Sequence, residues 1–173
     1  MWARYTKDKE LLAATREAAK PLLDEELDEF CPVKLDVSPT ASGFQPACLM
    51  RLVAVGHVYG SKMTKWVSSR LPNDLHIPPV TEPSSCHAGG LNFTRAFALY
   101  QLYLLTGNKS YRDNYAELIR YHVGRPDLYL GPNYLGNPDY LCYSHWVAQV
   151  GVRAISLSYE EQTARPRVIR DPH

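Results

Sequence analysis

The stretch Leu91-Asn92-Phe93-Thr94-Arg95-Ala96-Phe97-Ala98-Leu99-Tyr100-Gln101-Leu102-Tyr103-Leu104-Leu105 is apolar on almost every face, with polar side chains only at Asn92, Thr94, Arg95 and Gln101. A helix of that kind is buried among other helices rather than laid on a surface. Gly107 follows as its C-terminal stop. The next segment, 110–122, spaces Tyr111, Tyr115, Leu118 and Ile119 along one stripe, with Arg112, Asp113, Glu117 and Arg120 largely elsewhere. That spacing predicts an amphipathic helix. The pair reads as an inner helix followed by an outer one.

The same grammar extends outward in both directions. Residues 7–30 carry Leu11, Leu12, Thr15, Ala18 and Ala19 at helical spacing, then Leu22, Leu23, Leu27 and Phe30 beyond Pro21, which fits one kinked helix or two short ones. Pro46 suits the first turn of a helix ending near Tyr59 and Gly60. Ser61 can cap a third helix with Met63, Trp66, Val67 and Leu71, ended by Pro72. Ser144 can cap a last one from His145 to about Tyr159. Two long loops remain, 72–90 with four prolines and 124–143 with many tyrosines; long ordered loops usually have a task. No period-2 strand pattern occurs. The expectation is an all-α array of antiparallel helical hairpins, about 40 residues per unit, over residues 1–160, with an extended or frayed tail over 161–173.

Composition narrows the partners. With 45% hydrophobic residues and 21% charged, the chain is an ordinary globular one. The 19 basic residues nearly balance the 18 acidic ones, so no long-range field favours nucleic acid or an anionic membrane. Arg51, His57, Gln101 and Gln149 interrupt the apolar runs, which stay below the length of a membrane helix. The start, Met1 to Asp8, leads into charged helical sequence with no signal-peptide core, so cytoplasmic residence is the default expectation. Cys31, Cys48, Cys86 and Cys142 form no CxxC pair, and His57, His76 and His122 have no metal-ligand spacing, so neither a metal nor another cofactor is expected.

Three stretches carry a resemblance. Leu104-Leu105-Thr106-Gly107-Asn108-Lys109-Ser110-Tyr111-Arg112-Asp113-Asn114-Tyr115 resembles the inner-to-outer helix junction of (α/α)6-toroid proteins of the six-hairpin glycosidase type. His87-Ala88-Gly89-Gly90-Leu91-Asn92-Phe93-Thr94-Arg95-Ala96-Phe97 and Ser144-His145-Trp146-Val147-Ala148 resemble motifs of an uncharacterised bacterial family within that group. The resemblance spans about residues 5–159 and corresponds to the C-terminal half of such a protein. It implies half of an (α/α)6 toroid, with a cavity at the N-terminal ends of the inner helices. Where the family has Glu-Pro-Ser-Gly-x-Asp-Phe, this chain reads Asp36-Val37-Ser38-Pro39-Thr40-Ala41-Ser42-Gly43-Phe44, so the motif's second acid has no counterpart.

Candidate site residues follow from these positions. His87 and His145 precede inner helices and titrate near neutral pH, so they are acid/base candidates; the bland alternative is a loop tether. Glu82 and Asp36 are the carboxylates placed with them, and Asp127 and Asp139 are further loop acids with no sign of convergence. Arg95, one turn into an apolar helix, needs a partner: a bound anion, or Glu82 or Asp36 in a structural ion pair. Asn92 shares its face and is either a second ligand contact or a cap. Tyr140, Tyr143 and Trp146 offer flat surfaces for a sugar-like ring.

Two functions stand open at this point. One is a carbohydrate-active or related small-molecule enzyme of hydrolase, lyase or epimerase type; the other is a non-catalytic ligand-binding or assembly module. A half-ring also leaves apolar flanks that a homodimer, or a separate N-terminal half, would cover.

Overall fold

The computed structural model describes residues 6–21, 56, 58–59, 64–71, 74–83, 86–127 and 147–164. Their regular structure is all helical: α1 (Lys9–Ala19), α2 (Thr64–Arg70), α3 (Cys86–Gly89), α4 (Leu91–Thr106), α5 (Lys109–Val123) and α6 (Ala148–Ala164). Among the described residues no helix is long and apolar enough to cross a membrane.

The α4–α5 pair is the frame. Ten of the sixteen residues of α4 are buried, including Asn92, Arg95 and Gln101. Gly107 ends it in the left-handed region at φ 75°, where its N–H returns to the Tyr103 carbonyl. A side chain there would strain the backbone. Asn108 then starts α5 by accepting from the Ser110 N–H at 3.0 Å, and Thr106 Oγ1 accepts from the Asn108 N–H at 3.2 Å. The turn is therefore satisfied on both sides, and α5 lies antiparallel along α4. Their shared core holds Leu99, Tyr100, Leu102, Tyr111, Tyr115 and Leu118.

Helix α6 covers another side of α4. Gly151 sits so close to the Phe93 ring that a Cβ would lie 2.8 Å from it, and Tyr115 donates its hydroxyl to the Ala154 carbonyl at 3.1 Å. Leu157 reaches the cluster around Tyr100 and Leu102. Since Phe93 meets Gly151 and the later residues of each helix meet in turn, α4 and α6 run parallel, with N-termini at the same end. At the other end of α4, Thr64 of α2 donates to the Leu105 carbonyl at 3.0 Å, and Gly56 abuts the Leu105 side chain. Helix α1 is capped by Asp8, which accepts from the Leu11 N–H, but buries only Ala19. Tyr59 ties it down by donating to the Arg16 carbonyl at 2.8 Å.

The boundaries differ from the sequence expectation in two places. Within the long 72–90 loop the four residues of α3 turn once as helix, a length too short for any periodicity to register. Helix α6 continues to Ala164, beyond the stop expected near Tyr159.

Candidate functional site

Residues 75–83 cross α4 and α5 as a strap with no helix or strand pairing of its own. Its side chains Leu75, Ile77 and Val80 are buried, so its peptide groups are taken out of water and need partners. Two asparagines supply them. Asn114 of α5 accepts from the Ile77 N–H at 2.8 Å and donates to the Ile77 carbonyl at 2.9 Å. Asn92 of α4 accepts from the Val80 N–H at 2.6 Å and donates to the Val80 carbonyl at 3.0 Å. Between them stand Pro78 and Pro79, which have no N–H to satisfy, and the Pro78 carbonyl accepts from Arg95 at 3.0 Å. Every peptide donor from Ile77 to Val80 is thus accounted for. At the rim, His76 Nε2 meets Glu117 Oε2 at 2.7 Å, both side chains about half exposed.

Among the candidate site residues, Asn92 and Arg95 lie on one face of α4, 1% and 2% exposed, and both address the strap backbone. Glu82 is exposed at the strap's end. The backbone of His87 lies in α3, directly before α4, but its side chain lies outside the described residues, as do Asp36, Asp139, Tyr140, Tyr143, His145 and Trp146 altogether. Asp127 forms a two-pronged contact with Arg125, at 2.9 and 2.7 Å. That hydrogen bond holds its carboxyl below the ordinary value.

A cleft opens at the common N-terminal end of α4 and α6. Among the described residues, Phe93, Thr94, Phe97, Val150 and Arg153 line a cavity of about 150 Å³, and the surface they present to it is almost wholly apolar. The Arg153 guanidinium lies 5.7 Å from the centre of the Phe97 ring. Thr94 turns its hydroxyl back to the Gly90 carbonyl at 3.4 Å. Phe93 is the floor, and its ring rests 4.0 Å from that of His122 on α5. His122 is fully buried. Burial pushes its imidazole down to about 4, against the raising pull of Asp127, so it is neutral near pH 7.

Sequence reasoning missed Asn114 and His122. Both sit on the buried face of α5, in register with Tyr111, Tyr115 and Leu118; polar letters within an apolar stripe are the signal that was there to read. No family model, curated protein or solved structure matches the chain.

Proposed function

We propose that this chain is a non-catalytic ligand-binding module whose contact surface is the cleft at the N-terminal ends of α4 and α6. The observation that supports this reading is how the polar groups are divided. Asn92 and Arg95, the residues best suited by type to hold a polar ligand, are buried against the strap, while the described residues of the cleft present almost only apolar surface to it. A polyhydroxylated sugar would find few partners for its hydroxyls on the described walls, whereas a single ring or branched alkyl group matches their apolar surface and the volume. The half-toroid arrangement belongs to the same proposal, supported by the burial of α4 between α5 and α6.

Benzyl alcohol, an uncharged single-ring probe, tests the reading by saturation-transfer NMR on the full chain. Transfer to the ring protons is expected, along with its loss in Val150→Phe, which fills the cleft. Absence of transfer to the folded wild-type chain would exclude the cleft as a binding surface.

A carbohydrate-directed enzyme is the second reading. What favours it is sequence adjacency: His87 lies four residues before the start of α4, and His145 three residues before that of α6, the two ends that bear the cleft. Glycan turnover lost on His87→Ala or His145→Ala, with helical circular dichroism intact, would move the assignment to it.

A further inference from the structure

The strap is held largely by its backbone, through bonds that ask little of its sequence. Asn114 accepts from the N–H and donates to the carbonyl of Ile77, and Asn92 does the same for Val80. Two groups that exchange both bonds in this way reproduce one rung of an antiparallel ladder, built here from side-chain amides on two helices. Between the rungs Arg95 donates to the Pro78 carbonyl. Side chains enter at set positions: Leu75 and Ile77 join the core shared by α4 and α5, and Val80 packs with Ala88 and Leu91. Pro78 and Pro79 fix their own φ and hold the residue before each in the extended region, so the segment meets the clamps with little backbone freedom left to lose. Main-chain hydrogen bonds for affinity and apolar sockets for selectivity are what recognition of an extended peptide requires.

We propose that the α4–α5 face beneath the strap is a peptide-binding groove, filled in this chain by its own residues 75–80, which takes in trans an extended partner segment of the same pattern, apolar-x-apolar-Pro-Pro-apolar. The asparagine amides read peptide groups and not side chains, so they serve another segment as well as their own. The strap is the groove's inhibitor: a partner enters only while the strap is lifted, and its apparent affinity falls by the fraction of chains in that state. His76 and Glu117, 2.7 Å apart at the rim, join strap to α5 and must separate for it to lift. The groove lies on α4 and α5 and the small-molecule cleft on α4 and α6, so either can fail without the other.

The probe is a synthetic peptide with the sequence of residues 74–83, carrying a fluorophore and titrated into the full chain. Ile77→Ala weakens the strap's hold without touching the groove, and this chain is expected to bind the peptide at least about tenfold more tightly than wild type, because its groove is uncovered more of the time. A peptide N-methylated at the position of Val80 lacks the donor that Asn92 accepts and should bind about tenfold more weakly than the unmodified one. Deuterium exchange on the wild-type chain reads the same event without a variant: excess peptide should speed exchange at the Ile77 and Val80 amides, since a filled groove keeps the strap lifted, and leave the middle of α4 unchanged. A folded Ile77→Ala chain that binds neither peptide, or binds both alike, overturns the proposal. Should that variant fail to fold, wild-type exchange at Ile77 and Val80 that is indifferent to the peptide overturns it instead.

Discussion

Between the clamp on residues 75–80 and the cleft at the helix N-termini, polarity is distributed the opposite way from a site in which polar residues mark the ligand. The clamp is dry and rich in hydrogen bonds: Asn92, Asn114 and Arg95 all address peptide groups of the same chain. The described residues of the cleft present almost no polar surface to it. A buried asparagine is therefore a poor indicator of a ligand here, because an irregular segment that crosses a core needs amide groups to replace the ladder it lacks.

The sharpest way to break this contrast is to remove a clamp. Asn114→Ala or Asn92→Ala leaves one buried N–H and one buried carbonyl without their partners, a loss of about 2–4 kcal/mol of stability. Urea unfolding of each variant measures it, and ligand binding in the cleft should persist wherever the chain is still folded. A midpoint unchanged in both variants would deny the clamp its structural role.

His122 links the two regions, since it lies on α5 eight residues after Asn114 and supports the cleft floor at Phe93. Its folded value of about 4 lies below the ordinary 6.5. As pH falls through that interval the unfolded chain takes up the proton and the folded chain does not, so stability is full above 6.5 and declines toward 4. The loss is on the order of 3 kcal/mol. His122→Phe, which keeps a ring beside Phe93, should flatten this part of the pH profile of urea midpoints; an unaltered slope would assign the acid sensitivity to other groups.

The smallest effect belongs to Gly151, which packs against the Phe93 ring from α6. Gly151→Ala places a methyl group against the Phe93 ring, which has His122 behind it and little room to withdraw. The crowding costs about 1–2 kcal/mol, partly offset by alanine's better helix propensity of about 1 kcal/mol. A net loss of about 0–1 kcal/mol in thermal unfolding, together with weaker benzyl alcohol binding, is expected. Stabilisation without any change in binding would mean that Phe93 is free to move.

The frame was legible in the sequence where the signal is local. The mostly apolar run predicts α4 within a residue of its end at Thr106, Gly107 marks its stop, and the Tyr111, Tyr115, Leu118 spacing predicts α5. The shared face of Asn92 and Arg95 was also readable, being set by helical geometry alone. What they touch was not. Asn114 meets Ile77 across 37 residues, and neither residue type nor spacing announces a pairing at that range. The demand for a partner at Arg95 was posed from its apolar surroundings, and the Pro78 carbonyl is one partner that neither residue type nor spacing points to. The cleft escaped for another reason: Phe97, Val150 and Arg153 look like ordinary helix residues until α4 and α6 are set side by side.

The backbone bonds of the clamp have a consequence for how the molecule breathes. The amide protons of Ile77 and Val80 belong to a segment without secondary structure, and such segments normally exchange with solvent quickly. Here each is buried and held by a side chain anchored in a core helix, so neither can meet water until the strap lifts from α4 and α5. In deuterium exchange these two protons should persist alongside those of the middle of α4, as isolated slow positions in an otherwise fast stretch, and the rate at which they disappear reports the opening of the strap itself.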